Sequence, residues 1–156
     1  TASDKKIQKG EMVVVDLGAV YRGYASDCTR TYGFGLSQAQ RKLIRIVKRA
    51  QQAAVEKLAD GTATRKICMA ANEVIKRAGL LKYALHGLGH GVGIEIHEAP
   101  SLYPGSKETL RANMVLTIEP GIYVPKLGGA RWEDMFLIHK KGAESLTMKY
   151  LSWIGE

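Results

Sequence analysis

The order of apolar and polar positions along the chain predicts strands at both ends and helices between them. Residues 11–18, Glu-Met-Val-Val-Val-Asp-Leu-Gly, form a β-branched run that reads as a strand, with Asp16 standing where the pattern would otherwise stay apolar. Beyond Gly18 and Gly23 a second run, residues 24–32, alternates, so Asp27, Thr29 and Thr31 share one face while Cys28 and Arg30 take the other. Folded into a hairpin, the two runs are expected to set Asp16 across from Asp27. Helical spacing then takes over. Ser37-Gln-Ala-Gln40 resembles a capping box, Leu43, Val47, Ala50, Ala54 and Leu58 follow as one stripe, and Gly61 reads as the stop. A second amphipathic helix is predicted from Thr64 to Ala78, burying Ile67, Ala71, Val74 and Ile75 and ending at Gly79. Such stripes are core far more often than partner-binding surface, and the lysines and arginines beside them read as a solvated face.

The remaining third of the chain changes character. Glycine recurs at 87, 89, 91 and 93, between His86 and His97, a density expected to let backbone pass close to ions or substrate. Two apolar runs follow, residues 115–124 and 129–138, each predicted as a strand with an internal glutamate, Glu119 and Glu133. Strand alternation puts Arg131 on the same side as Glu133. Strand pair, helix, helix and strands together read as α+β with a largely antiparallel sheet.

Composition narrows the picture. A chain of 156 residues with 46% hydrophobic content is long enough for one domain, residues 1–156, that buries roughly 68–70% of its unfolded surface. It has no repeat, low-complexity tract or linker. The net charge of +8 invites a nucleic-acid partner, but the basic residues are dispersed and not interleaved with aromatics, which argues against one. Cys28 and Cys68 fall in a strand and a helix with no metal-type spacing, as expected of reduced thiols in a cytoplasmic protein. No run is long and apolar enough to span a membrane.

The chemistry lies in five residues: Asp16, Asp27, His90, Glu119 and Glu133. A single carboxylate in a strand is most often solvent-facing, and a lone histidine is most often structural. Four hard carboxylates with one imidazole, by contrast, suit two divalent cations and metal-assisted hydrolysis. Four charges of −1 offset two of +2, whereas the same acids crowded without metal would raise one another's pKa values. Such a site accepts Mn²⁺, Co²⁺ or Zn²⁺. His139 lies outside any motif and is expected to be exposed.

The five residues sit in Val-Asp16-Leu-Gly, Ser-Asp27-Cys-Thr-Arg-Thr, Gly-His90-Gly-Val-Gly, Thr-Ile-Glu119-Pro-Gly and Arg-Trp-Glu133-Asp. In kind and order these motifs resemble the pita-bread metallopeptidases, which include methionine aminopeptidase, aminopeptidase P and prolidase. The resemblance runs from near residue 12 to near residue 138. His86-Gly-Leu-Gly-His90 and Gly-Ala-Arg131-Trp-Glu133 look like the Xaa-Pro branch, since methionine aminopeptidases usually lack the arginine two residues before the last glutamate.

The resemblance implies a curved, largely antiparallel sheet with helices on one face, and it implies roles. Asp16 would chelate one metal, Asp27 and Glu133 would bridge both, and His90 and Glu119 would complete the second. Glu119 would also act as the base, His97 and His86 would contact the substrate carbonyl or the tetrahedral intermediate, and Arg131 would support the site or meet a substrate carboxylate. The implied substrate is an Xaa-Pro peptide. Family members have a catalytic domain of two related halves, so part of the first half is expected to be missing here. An N-terminal segment or second polypeptide, or a second copy in a homodimer, would then cover the open face. The alternatives are a non-catalytic pita-bread module that binds protein or nucleic acid, and a methionine aminopeptidase-like activity.

Overall fold

The computed structural model describes residues 3–148. Strand β1 (Met12–Leu17) pairs antiparallel with β4 (Cys28–Gly33), and between them a short hairpin of β2 (Val20–Tyr21) and β3 (Tyr24–Ala25) projects. Its turn residues Arg22 and Gly23 have φ of 51° and 87°, the two positive angles of a type I′ turn, whose twist suits a two-residue connection. The register corrects one expectation: Asp16 faces Thr29, not Asp27. Asp27 lies two residues beyond Thr29 on the same face, a diagonal neighbour of Asp16. Backbone crowding between Gly18 and the Ser26 carbonyl marks where the ladder stops short of Asp27.

Helix α1 (Gln38–Val55) starts at the capping box: the Ser37 hydroxyl accepts from the Gln40 amide, and the Gln40 side chain accepts from the Ser37 amide at 2.8 Å. Leu43, Val47, Ala50 and Ala54 are buried along one stripe. The helix ends at Val55, short of the expected Gly61, so Leu58 is buried from a turn beyond it. Helix α2 (Thr64–Arg77) buries Ile67, Ala71 and Ile75 as expected, with Val74 only partly covered. Gly79 follows with a φ of 73°.

A five-stranded antiparallel sheet forms the body, in the order β11 (Ala143–Ser145), β10 (Asp134–Ile138), β7 (Val115–Ile118), β5 (Gly89–Gly91), β6 (Glu98–Leu102). Beside it β8 (Gly121–Val124) pairs with β9 (Gly128–Arg131). Helix α1 packs on α2 and on β7, β8 and β9, while α2 packs on β6. Leu116, Ile118, Ile122 and Ile138 fill the layer between helices and strands with no exposed surface.

One further expectation is corrected here. Neither late apolar run is one strand: each breaks at its glutamate, β7 from β8 at Glu119-Pro120 and β9 from β10 at Trp132-Glu133. At Gly89 and Gly91 a side chain would collide with the Thr117 and Ala99 carbonyls of adjacent strands. Their close approach is backbone to backbone, which seats His90 deep in the sheet.

Candidate metal centre

Three of the five residues converge most tightly. One ligand atom each from Asp27, His90 and Glu133 lies within 4.8 Å of the others. His90 Nε2 is 3.6 Å from Asp27 Oδ2 and 3.4 Å from Glu119 Oε1, so Glu119 belongs to the same cluster. The other ring nitrogen, Nδ1, is 3.0 Å from the Gly91 carbonyl, and donating there leaves the Nε2 lone pair facing two carboxylates. That juxtaposition is repulsive unless a positive charge sits among them, which is the fit expected of a cation site.

Asp16 stands at the rim, its side chain 47% exposed and paired with the Arg131 guanidinium. Arg131 also reaches 2.8 Å to the Tyr123 hydroxyl, 3.3 Å to Thr29 Oγ1 and 3.9 Å to Glu119 Oε2. Arg131 and Glu133 do share a side, but by converging on Thr29, whose hydroxyl donates to Glu133 Oε2 at 2.6 Å. The His97 ring meets His90 edge-on at 4.2 Å. His86 does not touch the carboxylates; its Nε2 is 3.1 Å from the Tyr123 hydroxyl, so it joins the site through Tyr123 and Arg131. His86, His90, Ser101, Tyr103, Glu119 and Arg131 line a cavity of about 480 Å³ beside the cluster. His139 is exposed, near Glu144.

Burial, with the neighbouring carboxylates adding to it, shifts the acids upward. Glu133 is raised from 4.5 to about 8, mainly by burial and also by Glu119, Asp27 and Asp16, against the lowering hydrogen bond from Thr29. Burial raises Glu119 to about 7, with Arg131 opposing and Asp27 and Asp16 adding. Asp27 is raised as well, by burial and then by Asp16. The His86 imidazole is shifted down, first by burial.

Thr29 and Tyr123 hydrogen-bond the candidate site residues, and neither is singled out by the sequence as a site residue. Thr29 shares the alternating face of Asp27, and that shared face was the available signal. Tyr123 had only its polar tip inside an apolar run to mark it.

Comparison with known proteins follows the same boundaries. The family model described as metallopeptidase family M24 matches residues 1–140. The Xaa-Pro dipeptidase of Pyrococcus furiosus is 49% identical over 147 residues, covering 94% of this chain and 42% of that protein. The Xaa-Pro dipeptidase of Pyrococcus horikoshii is 46% identical over the same length and coverage. Among solved structures, the prolidase from Pyrococcus furiosus superposes with a TM-score of 0.91, covering 94% of this chain and 44% of that one. The chain therefore spans less than half the length of the curated relatives it matches.

Proposed function

Because this chain belongs to metallopeptidase family M24 and has the pita-bread fold, we propose that the protein carrying it hydrolyses Xaa-Pro peptide bonds. The observation that supports this best is the convergence of Asp27, His90 and Glu133, with Glu119 beside them. The identity to Xaa-Pro dipeptidases supports a substrate of that class.

The ligand set in this reading is Asp16, Asp27, His90, Glu119 and Glu133, holding two divalent cations drawn from Mn²⁺, Co²⁺ and Zn²⁺. Bound cations supply Lewis acidity, lowering the pKa of water and polarising a carbonyl. Glu119 takes the proton at its carboxylate and returns it to the leaving proline nitrogen. His97, exposed beside His90, hydrogen-bonds the substrate carbonyl, and His86 lines the cavity beside Tyr123. Arg131 orients Asp16 and Tyr123, and Thr29 orients Glu133. The bond before proline is a tertiary amide without an N–H, so alignment falls to the carbonyl and to the cavity wall.

The same reading covers the surroundings. Leu17, Val20, Tyr21, Tyr24 and Ile94 are between 62% and 73% exposed around the projecting hairpin, an apolar surface suited to further polypeptide or to a second copy. Cys28 and Cys68 are free thiols, as suits the cytoplasm. Among the described residues no helix is long and apolar enough to cross a membrane.

The test is metal analysis of the purified protein combined with an Ala-Pro and a longer Xaa-Pro assay. Metal-dependent cleavage confined to the Xaa-Pro bond, immediately before proline, supports the proposal. Full metal loading with no hydrolysis of either peptide supports a non-catalytic module instead.

A further inference from the structure

Asp134 follows Glu133 in sequence but has different partners and no exposed surface. Its carboxylate is met by three donors from three parts of the fold: Arg30 Nη2 at 2.6 Å, the Thr147 hydroxyl at 2.7 Å and Gln51 Nε2 of α1 at 3.0 Å. Gln51 also donates to the Ile118 carbonyl at 3.0 Å, one residue before Glu119. Arg30 Nη1 in turn donates to the Thr29 carbonyl at 2.9 Å and to the Glu133 carbonyl. Its guanidinium lies 4.5 Å from the centre of the Trp132 ring, which Lys48 of α1 also approaches.

Glu133 is thereby held at three atoms by two consecutive residues of β4. Its amide donates to the Thr29 carbonyl at 3.0 Å, its side chain accepts from the Thr29 hydroxyl, and its carbonyl accepts from Arg30. At a strand break no ladder supplies these bonds. A planar guanidinium spreads its donors over separate nitrogens, so Nη1 meets two carbonyls while Nη2 meets the carboxylate, a fork that the single nitrogen of an ammonium lacks. Arg30 is itself only 11% exposed, and a cation so enclosed needs a fixed counter-charge.

We propose that Asp134 is a positioning residue: by fixing Arg30 it sets the break that aims Glu133 at Asp27 and His90, and through Gln51 it ties that break to helix α1 and to the Ile118–Glu119 corner. This rests on Glu133 being a metal ligand, as read above. A ligand displaced by about half an ångström loses much of its use.

The experiment titrates Mn²⁺ into the metal-stripped purified protein, following free Mn²⁺ by electron paramagnetic resonance, with circular dichroism confirming that each variant is folded. Asp134→Asn and Arg30→Lys are each expected to weaken Mn²⁺ binding by about 10–100-fold, the usual consequence of removing a partner behind a ligand. Their double variant should be little weaker than either alone, because the two act as one unit. A merely structural role would lower the unfolding midpoint and leave the Mn²⁺ affinity of the folded protein unchanged. Folded Asp134→Asn with wild-type affinity overturns the proposal, as does an effect of Asp134→Asn that adds fully to that of Arg30→Lys. Should Asp134→Asn not fold, Thr147→Val and Gln51→Leu each remove one donor; several-fold weaker binding is expected, and wild-type affinity in both overturns the proposal. Glu133→Gln separates the premise: if it binds Mn²⁺ as wild type does, the ligand reading fails, and the positioning role with it.

Discussion

Two pairs of carboxylates reach the same cluster by opposite means. Asp16 lies in the regular β1–β4 ladder, which ends just short of Asp27, and its flank is open: Leu17 is 62% exposed and Val20 72%. Glu119 and Glu133 sit where strands break inside the packed sheet, next to Ile118 and Asp134, both fully buried. Asp16 is placed by register and Asp27 by the first step beyond the ladder, whereas Glu119 and Glu133 are placed by hydrogen bonds to distant backbone, Glu119 N to Leu88 O and Glu133 N to Thr29 O. Burial dominates at the second pair, raising its acids to about 7 and about 8. Side chains that hold charge deep in the sheet should be the costlier ones to change.

The largest expected effect is at Glu119. Glu119→Gln keeps the shape but removes the proton acceptor, so turnover of an Xaa-Pro peptide by the active protein should fall about 10²–10⁴-fold while some metal remains by elemental analysis. Asp16→Asn, on the open side, should cost less; an equal loss there would erase the contrast between the pairs. In stability the same contrast should appear as roughly 2–5 kcal/mol for Ile118→Ala, by chemical denaturation, because it opens a cavity in the core. Leu17→Ala should stay within about 0.5 kcal/mol under the same conditions.

A smaller effect concerns pH. In chelated protein the folded-state pKa values of Glu119 and Glu133 lie above the ordinary 4.5, so between about pH 4.5 and about pH 8 the native state holds more protons than the unfolded chain. Stability then falls as pH rises through that window. Thermal midpoints of the chelated protein should be lower at pH 8 than at pH 5, and saturating Mn²⁺ should reverse the trend, since metal binds the deprotonated native site. A chelated protein indifferent to pH across this range would mean the two glutamates are not buried as described.

The contrast also explains what was legible in the sequence. Alternation over residues 24–32 placed Asp27, Thr29 and Thr31 on one face, and the capping box at Ser37 fixed the start of α1, because both are local patterns. The register of Asp16 differs from the expected one by two residues, because the irregular junction at Gly18 and Ser26 is invisible to periodicity. The strand breaks at Glu119 and Glu133 were read as continuous strands, since what bends the chain there is a partner far away in sequence. Pro120, which cannot donate to a ladder, was the one local hint. Likewise the end of α1 at Val55 is set by a turn in which the Leu58 amide bonds back to Val55, and the apolar spacing runs on regardless.

The account rests on five side chains holding two cations, and anomalous scattering at the manganese edge from Mn²⁺-loaded crystals tests it most directly. The expected result is two ions, with Asp27 and Glu133 touching both, Asp16 one, and His90 with Glu119 the other. A single ion, with Asp16 engaged only by Arg131, would contradict it.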